Sequence, residues 1–516
     1  MKRISCSHSI LESVMIVLIF FFGFFGLSRS SQAADYYGAT TGNDSDNGSL
    51  GSPWRTINKA LSACLLPLAM LCVSSAQAAT YYVDQTHPGA NDANSGTQTL
   101  PWKTIQKAAD TLAAGDTALV MSGTYPERIT IPAPKSGTAG SPITFKASPR
   151  RSVVMQGFHV TANYIRIEGF DISTSMGGWN GGGVWIAGNN LEILDNYFHD
   201  IPGPAVSFSW SFSWAGGAPG LWHDIYIARN RIYRCNMGLS IRGRNIVAED
   251  NEIERLIYTS GDADNFRFFG ENITIRRSYM HGTQQSEIGP SHTDGFQTFD
   301  NNGEFAQHVL IENNILTGFY HQGFMGEAAF HGNSFDITFR NNIFEGSQSW
   351  GLAISDRLRD VKAYNNVFAN ITNHGVGLTN GAQGEVYNNI FFNGGSNYWA
   401  DDTSTLTAGG YNLISKSHYP NYKTATDLVD IDPRFVDPAN LLGNDGLPFT
   451  ADDGFHLQSN SPAIDAGVDL RASGMADDAD RILRPQGPAW DIGAYEFVSG
   501  VPDTTPPSAP RNFRIR

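Results

Sequence analysis

The sequence predicts an all-β chain wound as a parallel β-helix, and three patterns predict it. A motif, apolar-x-apolar-x-x-Asn-x-apolar, recurs at intervals of 21 to 36 residues between Ile165 and Phe391. A second strand of the form Gly-apolar-x-apolar-x follows in nearly every repeat. The period is also too short for a βαβ unit, and it suits a solenoid whose coils bury their faces only against neighbouring coils.

Copies of the motif begin at Leu191 (LEILDNYF), Ile225 (IYIARNRI), Ile246 (IVAEDNEI), Ile273 (ITIRRSYM), Val309 (VLIENNIL), Ile337 (ITFRNNIF) and Val361 (VKAYNNVF). Gly384 (GEVYNNIF) is expected to close the series, and Ile165 (IRIEGFDI) is a degenerate first copy. The sixth position reads Asn196, Asn230, Asn251, Ser278, Asn314, Asn342, Asn366 and Asn389. Asparagine tolerates left-handed backbone geometry, and its amide can bond the asparagine of the next coil, so these residues are expected to be scaffold and not catalysts.

The second strands are GVWIA (183–187), GLSIR (238–242), NFRFF (265–269), GFQTF (295–299), GFMGE (323–327), GLAIS (351–355) and GVGLT (375–379). Alternation turns Leu239/Ile241, Phe266/Phe268, Phe296/Thr298 and Phe324/Gly326 inward. Outward residues then form two columns along the solenoid: Ser240, Arg267, Gln297, Met325, and Arg242, Phe269, Phe299, Glu327.

A chain of 516 residues with 54 Gly, 16% charged residues and a net charge of −15 can bury a long core and has no basic patch for nucleic acid. It has no Lys between Lys146 and Lys362. The N-terminus carries two export-like units. Lys2 and Arg3 precede an apolar run from Val14 to Leu27 and the small residues Ser31 and Ala33; Arg55 and Lys59 precede ACLLPLAMLCV (63–73), Ala76 and Ala78. Neither run has the roughly 20 apolar residues of a membrane span, so a secreted, extracellular or cell-surface protein is expected, and a monomer. Residues 35–61 parallel 80–112, which marks one copy as a partial duplicate. A mature chain beginning near Ala79 keeps only Cys235 and has no internal disulfide.

The resulting organisation is a signal peptide (1–34), a partial duplicate with a second signal-like stretch (35–79), a cap with the first coils (80–150), the β-helix core (151–400), C-terminal coils and cap (401–500), and a linker (501–516). The stretch from Tyr81 through GDTALVMSGTYPERITI (115–131), followed by the coils, resembles secreted bacterial right-handed parallel β-helix proteins of the pectate-lyase-like superfamily. SPAIDAG (461–467) and RPQGPAWDIGAYEF (484–497) resemble their C-terminal segment, and DTTPPSAPRNFRIR (503–516) resembles a linker with the first strand of a fibronectin type III domain. The resemblance implies a helix near 103–113 capping the open end. It specifies the fold more than the activity, because this superfold hosts lyases, hydrolases, epimerases and adhesins.

Stacked coils set Asp264 beside Asp294 and Asp262 beside His292, about 4.8 Å apart. Carboxylates that close require a neutralising cation or a raised pKa. Oxygen ligands from Asp262, Asp264 and Asp294 suit calcium. His292, His321 and His281 match no zinc spacing. Trp210, Trp214 and Trp222 on the excursion 206–224, with Trp179 and Trp185 one coil earlier, offer rings on which sugar faces stack. The loop 281–295 forms one wall of the expected cleft.

Three functions fit these residues. The first is a calcium-assisted lyase acting by β-elimination on a uronate polysaccharide, in which the ion neutralises the substrate carboxylate and a base removes the C5 proton. Calcium-dependent pectate lyases use Lys or Arg for that step; without a Lys here, Arg267 is the expected base and Arg242 the second choice, with His292 beside Asp294 as a proton carrier. The second is a glycoside hydrolase built on the Asp264–Asp294 pair, with Glu327 a more distant partner. For it, HTDG around Asp294 resembles the Asn-Thr-Asp-Gly motif of polygalacturonases, whose remaining motifs lack counterparts here. The third is a non-catalytic carbohydrate-binding or surface-display solenoid. The lyase is placed first, with Gln297, Trp210, Trp214, Trp185, Glu327 and His321 as substrate contacts.

Overall fold

The computed structural model describes residues 78–173, 181–209, 222–300, 304–318, 320–329, 332–415 and 423–499, with Lys2–Ser5, Asp35–Gly38, Asn43 and Ser45. Met1–Gln77 and Ala78–Arg516 are separate compact units. In the first, Lys2–Ser5 pairs antiparallel with Asp35–Gly38; both apolar export-like runs lie outside the described residues. Among the described residues, no helix is long and apolar enough to cross a membrane.

The second unit is a solenoid of three parallel sheets. The first sheet carries the motif strands, and its register joins Ile165, Leu191, Ile225, Ile246, Ile273, Val309, Ile337, Val361 and Gly384 in one column. Those are the motif starts read from the sequence. The series does not close at Gly384, which pairs with Leu406 in Thr405–Gly410. The second sheet runs from Val184–Ile186 through Pro204–Phe208, Phe296–Thr298, Phe324–Glu327, Leu352–Ser355 and His374–Leu378 to Ser396–Ala400. The third follows the asparagine turn, from Asp171–Ser173 to Leu428–Val429.

Side chains expected to point inward do so. Leu239, Ile241, Phe266, Phe268, Phe296 and Phe324 are fully buried in one continuous core. Phe266 stacks on Phe296 at 5.5 Å, and Phe344, Phe368 and Phe391 stack in turn at 5.2 Å. Each such ring contributes about 2 kcal/mol through burial alone. The recurrent glycine at the start of the second strand reflects close approach: a Cβ on Gly323 or Gly351 would lie 2.4 or 2.3 Å from the carbonyl oxygen of the next glycine.

The asparagine ladder is present and fully buried. The Asn314 N–H and Nδ2 both donate to Asn342 Oδ1 (3.0 Å each), and Asn342 repeats this toward Asn366, and Asn366 toward Asn389. Each amide also donates to a strand carbonyl, as Asn342 does to Ile311 at 2.9 Å. Asn412 adds a rung that the motif search missed. One expectation is corrected: the left-handed residue is not the ladder asparagine but the residue before it. Asp195, Arg229, Asp250, Arg277, Asn313, Asn341, Asn365 and Asn388 have φ between 47° and 58°. That kink turns the following amide into the core, where each lone pair must find a donor.

The helix Ile105–Thr111 is capped by the Thr104 hydroxyl, which accepts from the Lys107 N–H, and by Glu127, which accepts from Ile105 and Gln106. It buries Ile105, Ala108 and Ala109 in the solenoid core beside Trp102. At the other end, coils stop near Val429, and residues 431–499 fold back along the solenoid. Phe435, Phe455, Ile492 and Tyr495 pack on Tyr279, Ile315, Ile343, Val367 and Ile390, the outward residues of the third sheet.

Asn342→Ala removes a rung and leaves the buried Asn314 N–H without its acceptor, at a cost of about 3 kcal/mol. Chemical denaturation read by far-ultraviolet circular dichroism should show that loss; a change within the range of ordinary surface substitutions would mean the ladder does not bear on stability.

Candidate functional site

Two of the three outer faces are taken. Residues 431–499 cover the third sheet, and the first sheet carries paired charges, with Glu249 bound by Arg276 and Arg277, and Glu312 by Arg340. The second sheet is left as the ligand face. Its outward column, in register, is His159, Trp185, Ser207, Ser240, Arg267, Gln297, Met325, Ala353, Gly377 and Trp399. The expected column from Ser240 to Met325 is therefore real, and Arg242 pairs with Phe269 as expected.

Asp264 and Asp294 are adjacent, but both are sealed, with side-chain exposures of 0%. Asp264 Oδ1 accepts the Asp294 N–H (3.1 Å), and Asp294 Oδ1 accepts the Gln322 N–H (3.1 Å). Gln297 Nε2 donates to Asp294 Oδ2 at 3.1 Å. These carboxylates thus link neighbouring coils through backbone amides, much as the asparagines do on the other side. Burial, and then the charge of Asp264, push Asp294 well above the usual carboxylate range.

Arg267 lies between two acids. It donates to Asp264 Oδ2 (3.0 and 2.5 Å) and to Asp262 Oδ2 (2.7 Å). Burial alone would lower its pKa, but Asp264 and Asp262 outweigh that and raise it. Arg267 is therefore a structural counter-ion, and the expectation that it acts as a base is corrected. Arg242, the second choice, is 1% exposed, donates to Glu304 and the Ser240 hydroxyl at 2.8 Å, and faces the Phe269 ring. It cannot meet a substrate from there.

The expected calcium ligands do not fit the ion. The place between Asp262 and Asp264 is held by the Arg267 guanidinium, and a divalent cation about 4 Å from it would meet roughly 8 kcal/mol of repulsion. Asp294 is sealed, and burial works against its charged form. Among the described residues, the group with metal-ligand geometry is instead Glu252, Glu254 and His281. Its carboxylates are already paired with Arg231, and Glu252 also with His281.

Gln297, expected to touch substrate, is 1% exposed and spends its amide on Asp294. Trp210, Trp214 and Trp179 lie outside the described residues. Trp185 is half-buried on the groove, edge-on to His159 at 4.1 Å. Trp222 packs against the core. His292 and His321 are brought together as a stacked pair at 4.7 Å, with His321 Nδ1 3.8 Å from Asp294 Oδ1. Burial, and then His292, lower His321, which leaves a neutral ring with 39% of its side chain exposed.

Glu327 is half-buried on the groove, and its carboxylate has no hydrogen-bond partner among the described residues. Burial, then Asp356 and Asp300, raise its pKa. Its register partner on the next coil is Ser355, so Asp356 follows directly. Asp356 accepts from the Ser355 hydroxyl (2.7 Å) and from Asn380 Nδ2 (3.1 Å). Asp300 is buried and accepts the Gly332 N–H. The sequence reading missed Asp356 because it lies one residue beyond the strand GLAIS, where alternation no longer assigns a face. It missed Asp300 for the same reason, after GFQTF.

Scans of protein-family models and of curated proteins found no match. Solved structures do match. The complex of XylC with xylose aligns over 81% of this chain and 98% of its own, at 12% identity and a TM-score of 0.51. Pectate lyase Pel9A aligns over 81% and 96% at 18% identity and a TM-score of 0.43. A tailspike protein double mutant of E. coli bacteriophage HK620 aligns over 72% and 70% at 12% identity and a TM-score of 0.47. At these identities the likeness shows the fold alone, the right-handed parallel β-helix expected from the sequence.

Arg267→Ala strands Asp262 and Asp264 without their counter-ion and should cost about 3–5 kcal/mol, because breaking a buried pair leaves an uncompensated charge. Thermal melting would show this; an unchanged melting temperature with lost activity would restore the role of a base.

Proposed function

We propose that this protein is an exported glycan-cleaving enzyme that hydrolyses glycosidic bonds at Glu327 and Asp356. The observation that carries the reading is the pair itself: two carboxyl groups on adjacent coils of the second sheet. Burial, and then Asp356 and Asp300, raise the Glu327 pKa, which suits it to give up a proton late. Asp356 accepts from Ser355 and Asn380, which hold its carboxyl in place. Glycosidic cleavage uses such a pair of carboxyl groups, one of them as acid. Glu327 would protonate the leaving oxygen, and Asp356 would stabilise the developing positive charge on the sugar ring or activate the attacking group. The solved structures of similar fold include proteins whose names state lyase or glycosidase activity, which agrees with a glycan substrate and leaves the chemistry open.

Charge favours hydrolysis over β-elimination. A uronate needs its carboxylate neutralised, and here the calcium ligands do not fit, Arg267 and Arg242 are already engaged, and Asp262 is 42% exposed beside the groove. One observation supports elimination as a second reading: neutral His321, backed by Asp294, has the protonation state of a base. The export-like N-terminal units and the glycan-facing groove together support secretion.

The test is an incubation of the protein with a panel of neutral and uronate polysaccharides, read for new reducing ends and for the ultraviolet absorbance of unsaturated uronate products. Glu327→Gln should lower turnover by about 10²–10⁴-fold without changing the melting temperature. Activity should fall as pH rises through the elevated Glu327 pKa, because the acid is lost there. Asp356→Asn removes one of the charges that raise it, so the alkaline limb should move to lower pH. Unsaturated products abolished by His321→Ala, with Glu327→Gln unaffected, would replace hydrolysis with elimination.

A further inference from the structure

Beside the acid pair, the outward column shrinks to Ala353 and Gly377 and then meets Trp399. Three rings close this trough. Trp399 and His374 stack at 5.2 Å with an interplanar angle of 11°, and Trp350 stands nearly perpendicular to both, at 86° and 82°. Trp350 lies down across the coil only because position 377 has no side chain: a Cβ there would fall 1.9 Å from its ring. The rings are each half-buried. His374 Nδ1 is enclosed and has no hydrogen-bond partner among the described residues. Burial lowers the His374 pKa, so the ring is neutral near pH 7.

We propose that Trp350, His374 and Trp399 form a sugar subsite on the sheet that carries Glu327 and Asp356, holding one pyranose ring of a neutral glycan; this rests on the hydrolase reading. Trp350 is on the coil that carries Asp356, His374 on the next, and Trp399 on the one after, about 10 Å along the solenoid. The corner of parallel and perpendicular rings offers apolar faces for the C–H side of a pyranose. A carboxylate in that position would bring charge against apolar rings, which is why the inferred glycan is neutral.

The experiment titrates the tryptophan fluorescence of the full chain carrying Glu327→Gln with cello-, xylo- and manno-tetraose. A saturable change with one of them, weakened about tenfold or more by Trp399→Ala and restored by Trp399→Phe, supports the subsite. No saturable change with any of the three, or the same affinity with Trp399→Ala, overturns it. Kinetics of the chain without Glu327→Gln separate the two readings. Trp399→Ala should raise KM for a cleaved glycan about tenfold and change kcat little, whereas full activity in Glu327→Gln would overturn the catalytic assignment and leave the binding result to stand alone.

Discussion

Everything in this molecule follows from the requirement that each coil present its backbone amides to the next in one register. A parallel strand has no local partner, so its N–H and C=O groups are satisfied only by the neighbouring coil. The turn between the first and third sheets would break that chain of bonds. The asparagine ladder repairs it: the Asn342 amide accepts from Asn314 and donates to the Ile311 carbonyl on the preceding coil, while its backbone N–H donates to Asn366 on the following one. Register fixed there propagates into all three sheets, and the outward columns of the ligand face inherit it.

Asp264 and Asp294 extend the same logic to the entry of the second sheet, at greater electrostatic expense. Each accepts a backbone N–H from the following coil, a task that an amide performs without charge. The charge has to be managed: Arg267 pairs with Asp264, and burial with the neighbouring Asp264 raises the Asp294 pKa. The densest cluster of acids in the solenoid is thus largely a joint between coils, and its sealed carboxylates are out of reach of a substrate. Glu327, by contrast, is a half-buried carboxyl whose pKa is raised by burial and then by Asp356 and Asp300.

The division among the three faces has a simple cause. Residues Tyr279, Ile315, Ile343, Val367 and Ile390 put an apolar stripe on the outside of the third sheet, and the C-terminal segment covers it. The first sheet alternates acids and arginines on its outside and needs no cover. The second sheet carries small residues at 353 and 377, the latter under the Trp350 ring, and aromatic residues toward either end of its outward column.

Much of the fold could be read from the sequence because periodic burial writes itself into composition. Inward residues such as Ile193, Phe266 and Phe324 must be apolar, Gly323 and Gly351 must lack a side chain, and Asn342 must carry an amide. Strand starts, column membership and the adjacency of Asp264 with Asp294 followed from spacing alone. What spacing does not encode is exposure and partnership. That Arg267 is an ion-paired counter-ion, that Gln297 holds Asp294, and that Glu327 stands beside Asp356 depend on how side chains from coils some 30 residues apart meet at the surface and on what covers them. The sequence determined the order in which residues stack, since hydrogen-bonded register is a repeating constraint; the tertiary structure decided which polar residues are free to act, since desolvation and charge pairing belong to the assembled surface.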